Sequence, residues 1–114
     1  MKAVFVELPA FERYRARYLD DDGSRSLQAA LMKDPEAGEV IEGTGGLRKM
    51  RFADKRRGKG KRGGLRVIYF GWSAGLQFWL YTLYDKDEMA DLTAKQRRDL
   101  KATLKAELEA RRAT

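Results

Sequence analysis

The chain has no cysteine and no histidine. Without cysteine there is no disulfide framework, no thiolate nucleophile and no cysteine-based metal site. Without histidine the Ser-His-Asp arrangement, imidazole metal centres and every mechanism that carries its proton on imidazole near neutral pH are excluded. Acid–base work therefore falls to Lys, Arg, Tyr or carboxylates. Long apolar runs are also missing: none approaches the ~20 residues of a membrane span, and the amino terminus is charged too early for a secretory segment. The expected location is the cytoplasm, with no membrane partner. No repeat of 20 to 50 residues is present.

What is there suffices for one domain over residues 1–114. The chain is 43% hydrophobic, with two Trp, five Tyr and five Phe to build a core, although 36% of residues are charged. The charge is unevenly spread. Between Arg48 and Arg66 stand ten Lys or Arg residues against one acid, Asp54, so this window alone holds more positive charge than the net +7 of the whole chain. A concentrated patch of one sign points to a polyanion partner, which uniform basicity does not.

Periodicity places this window in an α+β layout. Residues 2–7 read as a strand, and Pro9 opens a helix to residue 19, with Phe11, Tyr14 and Tyr18 at helical spacing. The acidic run 20–23 reads as a stop. Ser26 then caps a short helix to about Lys33, and four glycines mark 36–46 as a loop pinned to the core by Val40 and Ile41. Residues 47–52 alternate, Met50 and Phe52 on one face and Leu47, Lys49 and Arg51 on the other. Residues 65–72 and 76–84 form two further strands joined by a tight turn at 73–75, the last apolar enough to be buried on both faces. A charged linker, 85–91, leads to a helix over about 94–111, with Thr93 and Gln96 at capping-box spacing and a stripe of Leu100, Leu104 and Leu108. The predicted order is βααβββα: an antiparallel-rich sheet of about four strands with two N-terminal helices and one C-terminal helix.

Residues 58–63, GKGKRG, match the form of a nucleotide-binding glycine turn but run into a strand instead of a helix N-terminus, so no nucleotide cofactor is expected. The same loop offers Lys55, Arg56, Arg57, Lys59, Lys61 and Arg62 as a surface that tracks a phosphate backbone. Lys49, Arg51 and Arg66 lie in strands, whose side chains have set directions, and Lys86 follows the next strand. If these strands are neighbours, the four cations converge at the sheet rim and can stabilise charge developing on a phosphate. A lysine crowded by cations also becomes a candidate base. Of the aromatics, Trp72 and Tyr84 are placed at strand ends, where stacking on a base is open to them. The carboxylates of 20–22 and 85–91 lack calcium-loop spacing and read as cap and linker; no metal is expected.

The stretches GTGGLRKMRF, GGLRVIYFGW and FWLYTLYDKDE, the basic loop between the first two, and the Leu92-Thr93 entry to a charged last helix resemble the RelE/HigB family of bacterial type II toxins, closest to its HigB-like branch. That resemblance spans about residues 4–111. It implies a ribosome-dependent endoribonuclease that cuts messenger RNA at the A site by attack of a ribose 2′-oxygen on the adjacent phosphate, without metal or cofactor. It also implies a cognate antitoxin, with a helix-turn-helix domain that brings the pair to operator DNA. By position, Lys49 and Arg51 match the family's strand cations, Arg66 the arginine that steadies the phosphate, and Lys86 a late basic residue near the leaving group. The chain departs from RelE in having Leu92 where a tyrosine is expected and Arg51 in place of a strand lysine. A non-catalytic RNA- or ribosome-binding module, and an inactive toxin serving as antitoxin-bound co-repressor, remain alternative readings.

Overall fold

Eight elements carry the chain: β1 (Val4–Glu7), α1 (Pro9–Tyr18), α2 (Asp21–Lys33), β2 (Glu39–Val40), β3 (Arg48–Phe52), β4 (Leu65–Trp72), β5 (Gln77–Asp85) and α3 (Ala94–Arg112). The computed structural model describes residues 3–53, 58, 60, 64–72 and 76–112. The predicted turn at 73–75 lies outside them.

The strands form one mixed sheet in the order β1-β5-β4-β3-β2, with β1 parallel to β5 and every other pair antiparallel. The α+β class is as expected, but there are five strands where about four were predicted. The addition is β2, only two residues long and exposed on both, so it has no alternation to read. Val40 is exposed; its neighbour Ile41 is the residue that enters the core.

Helix α2 starts six residues earlier than expected, capped by Asp20 instead of Ser26. The acidic run read as a stop is its N-terminus: the Asp20 carboxylate accepts the Gly23 N–H at 2.7 Å, and Asp21 and Asp22 occupy the first turn, where negative charge complements the helix dipole. Helices α1 and α2 cover one sheet face, burying Phe11, Leu27 and Leu31 against Met50, Val67 and Leu80. Helix α3 covers the other, setting Leu104 against Leu47, Ile68 and Trp79. Its start bears the predicted reciprocal cap: Thr93 Oγ1 accepts the Gln96 N–H at 3.1 Å, and Gln96 Oε1 accepts the Thr93 N–H at 2.8 Å.

Strand β5 is largely apolar because both of its faces are covered. Phe78, Leu80 and Leu83 point toward α1 and α2, while Trp79, Tyr81 and Tyr84 point toward α3. That split is not a plain alternation. The β4–β5 register shifts at Ile68/Tyr69, with Ile68 opposite Thr82 but Tyr69 opposite Leu80. The extra residue is a bulge, and it moves Tyr84 onto the α3 face, where period two would have put Leu83. Among the described residues no helix is long and apolar enough to cross a membrane.

Candidate phosphate-binding site

The bulge completes a row of side chains across three strands. Arg51 of β3 stands opposite Arg66 of β4, which stands opposite Tyr84 of β5, all on the face that α3 covers further along the sheet. Like charges placed directly opposite in a sheet destabilise it. The Arg51/Arg66 pairing places two positive charges side by side at the rim of the sheet. Arg51 is exposed, whereas Arg66 is only 4% exposed and donates Nη1–H to the Leu65 carbonyl at 3.1 Å. Burial holds the Arg66 guanidinium in a set direction, as stabilisation of a reacting phosphate requires.

Two residues back on β3, Lys49 shares this face. Its Nζ lies 3.2 Å from Asp91 Oδ1, and Asp91 Oδ2 lies 3.0 Å from Arg97 Nη2. Asp91 also accepts the Leu92 N–H at 2.8 Å. That backbone bond is the main cause that lowers the Asp91 carboxyl below the ordinary carboxylate range; burial opposes it, and Lys49 and Arg97 assist. The proposal of Lys49 as a crowded base assumed cations alone around it. The structure supplies a carboxylate instead, from the segment between β5 and α3.

Tyr84 is 6% exposed, and its hydroxyl has no hydrogen-bond partner among the described residues. Burial pushes the phenol up to about 12; Asp91 adds to the shift, while Arg66 and Arg97 oppose it. All three charged groups thus lie within electrostatic reach of the hydroxyl. The Nε of Arg97 is likewise buried with no partner among the described residues. A groove between α1 and α3 runs past Tyr84, lined also by Tyr18, Tyr81, Leu92 and Gln96.

The remaining expected residues divide. Lys86 sits in the turn leaving β5, exposed, its N–H donating to the Gly64 carbonyl at 3.1 Å, which ties it to the rim where β4 begins. Lys55, Arg56, Arg57, Lys59, Lys61 and Arg62 lie outside the described residues. Trp72 is at the far end of β4, six residues or about 20 Å from Arg66, and packs against Trp79 and beneath Arg111. It cannot stack on a base at the same phosphate. The Tyr84 ring is inside the core, which removes it as a stacking platform and leaves its hydroxyl as the part that faces the site. Of the acidic segments, Asp20 caps α2 and Asp85 accepts the Asp87 N–H at 2.8 Å, while Glu88 accepts the Tyr18 hydroxyl and Asp91 pairs with Lys49. Asp91 and Arg97 were missed because their pairing crosses a helix start, and no periodicity in the sequence marks it.

No family model matches the chain. Among solved structures it is similar to a mutant of the E. coli toxin RelE in the free state, at 14% sequence identity and a TM-score of 0.49, covering 79% of this chain and 90% of that one. A likeness at that level decides nothing about activity, and the assignment of roles rests on the geometry above.

Proposed function

We propose that this protein is a ribonuclease toxin of the RelE/HigB type, of the HigB-like branch, acting in the cytoplasm on messenger RNA at the ribosomal A site and neutralised by a cognate antitoxin with a helix-turn-helix domain. The observation that carries this reading is the opposed Arg51/Arg66 pair, with Lys49 and Lys86 at the same rim. In the proposed reaction the 2′-oxygen forms a bond to phosphorus as the bond to the 5′-oxygen breaks. The products are a 2′,3′-cyclic phosphate and a 5′-hydroxyl. Arg66 and Arg51 hold the negative charge that gathers on the phosphate. Lys49, released from Asp91 and having given its own proton to solvent, takes the 2′ proton as a neutral amine, and the Lys86 ammonium gives a proton to the departing 5′-oxygen. No step passes through a metal.

Arg51→Ala tests this cleanly, because Arg51 is exposed and faces a like charge. The variant should keep its fold, with stability changed by no more than about 0.5 kcal/mol, while new 5′-hydroxyl ends on messenger RNA after a pulse of expression fall by about 10²-fold or more. Undiminished cleavage by folded Arg51→Ala would remove the reading. A second reading, occupancy of ribosomal RNA without cutting, is favoured by the Lys49–Asp91 ion pair, which withholds the candidate base. It predicts growth arrest with no new 5′-hydroxyl ends.

A further inference from the structure

Around Asp91 the described residues hold more donors than acceptors. Lys49 and Arg97 both give a hydrogen bond to its carboxylate, at 3.2 and 3.0 Å. Beside them Tyr84 Oη and Arg97 Nε are buried with nothing to bond to. Both atoms carry a hydrogen, and buried donors are seldom left unfilled. The missing group is therefore an acceptor, and with Lys49, Arg66 and Arg97 as its neighbours it is an anionic one.

Asp91 fills only part of this demand. A planar carboxylate offers two oxygens, which Lys49, Arg97 Nη2 and the Leu92 N–H already use. A phosphodiester group is tetrahedral and brings two charged oxygens together with two bridging ones, enough for the phenol and the second guanidinium nitrogen as well. We propose that Lys49, Tyr84 and Arg97 form a phosphodiester seat, and that in the free protein Asp91 occupies it as an internal carboxylate that RNA displaces. The identification of the ligand as RNA rests on the proposed function; the seat itself does not.

The local structure allows the exchange. Asp91 lies in the irregular segment between β5 and α3, with its side chain 48% exposed, while the next residue, Leu92, is anchored in the core. The carboxylate can swing out with little movement of the backbone. While it remains, Lys49 stays ion-paired to Asp91, so the candidate base is engaged until a phosphate arrives. A tethered competitor also raises the threshold for small anions: a lone phosphate must displace it unaided, whereas an RNA strand also gains Arg51 and Arg66.

The test is binding of a 2′-O-methyl oligoribonucleotide, which lacks the hydroxyl needed for cleavage, to the whole chain and its variants. Asp91→Asn keeps the shape and the acceptor for the Leu92 N–H but removes the competing charge. Two half-exposed ion pairs are relieved, so affinity should rise by roughly two- to thirtyfold, less at high salt. Tyr84→Phe should weaken binding by about tenfold, the loss of one hydrogen bond to a charged group. As a second measurement, inorganic phosphate should raise the melting temperature of Asp91→Asn more than that of the wild type. Unchanged or weaker oligonucleotide binding by folded Asp91→Asn overturns the seat, as does equal stabilisation of both proteins by phosphate. Tighter binding without 5′-hydroxyl ends on messenger RNA leaves the seat standing and the ribonuclease reading fallen; cleavage without tighter binding does the reverse.

Discussion

Tyr84→Phe should make the protein more stable and less able to bind phosphate. The hydroxyl is buried, with no partner among the described residues, so it has lost its water without replacement, at a cost of about 1–3 kcal/mol. Phenylalanine keeps the ring and its packing while removing that cost. Taking the low end, a gain of about 1 kcal/mol raises the melting temperature of a 114-residue chain by about 4 °C. The same substitution alters the alkaline limb. The Tyr84 phenol is raised from 10.0 to about 12 in the folded state, chiefly by burial. A raised value means that the folded protein keeps its proton while the unfolded chain loses it. Stability is therefore full below about pH 10 and declines from there to about pH 12, by up to about 2.7 kcal/mol at 1.36 kcal/mol per unit. Tyr81, likewise raised to about 12 by burial, contributes a decline of the same sign and size. Urea unfolding from about pH 8 to about pH 11.5, followed with tyrosinate absorbance, should show Tyr84→Phe with a smaller loss than the wild type, the remainder coming from Tyr81 and from Tyr69, which burial also raises. A variant destabilised by more than 1 kcal/mol at neutral pH would refute the reasoning, because the hydroxyl would then have a partner that fills it.

Other perturbations report on the scaffold. A Cβ on Gly38 would lie 2.9 Å from both the carbonyl carbon and the oxygen of Lys49, backbone atoms that cannot step aside. Gly38→Ala should cost about 1–3 kcal/mol, read by thermal unfolding, and should disturb β3 at Lys49; an unchanged melting temperature would mean the approach is looser than described. Thr93→Ala removes half of the reciprocal cap of α3 and should cost about 1 kcal/mol, close to 4 °C, with the greater loss of amide protection in the first turn of that helix. Equal protection there would show that packing of Leu104 alone holds the helix end.

Much of the scaffold can be read from the chain because the signals are local. Met50 and Phe52 alternate with Leu47, Lys49 and Arg51, and the two sets do face opposite cores. The apolar run of β5 follows from burial on both faces, and Thr93 with Gln96 marks the first turn of α3. The start of α2 was misread because aspartates end one helix and begin the next with equal ease, and only the bond from Gly23 to Asp20 decides which. Strand β2 was invisible because two exposed residues have no pattern. The parallel pairing of β1 with β5 joins segments over seventy residues apart, and nothing in either segment specifies the partner.

The candidate site divides along the same line. The sequence by itself determined that the chemistry, if any, is done by Lys, Arg, Tyr and carboxylates, that the positive charge gathers in one window, and that Lys49 and Arg51 share a face. Those conclusions depend on composition and on a two-residue period. Only the tertiary structure set Arg51 against Arg66, since register is a property of the pair of strands. Only the bulge at Ile68/Tyr69 brought the Tyr84 hydroxyl into that row, because one extra residue reverses which face the rest of β5 presents. And only the docking of α3 brought Arg97 to Asp91 and Asp91 to Lys49, across 42 residues of chain, turning a presumed linker carboxylate into the counter-ion of the site.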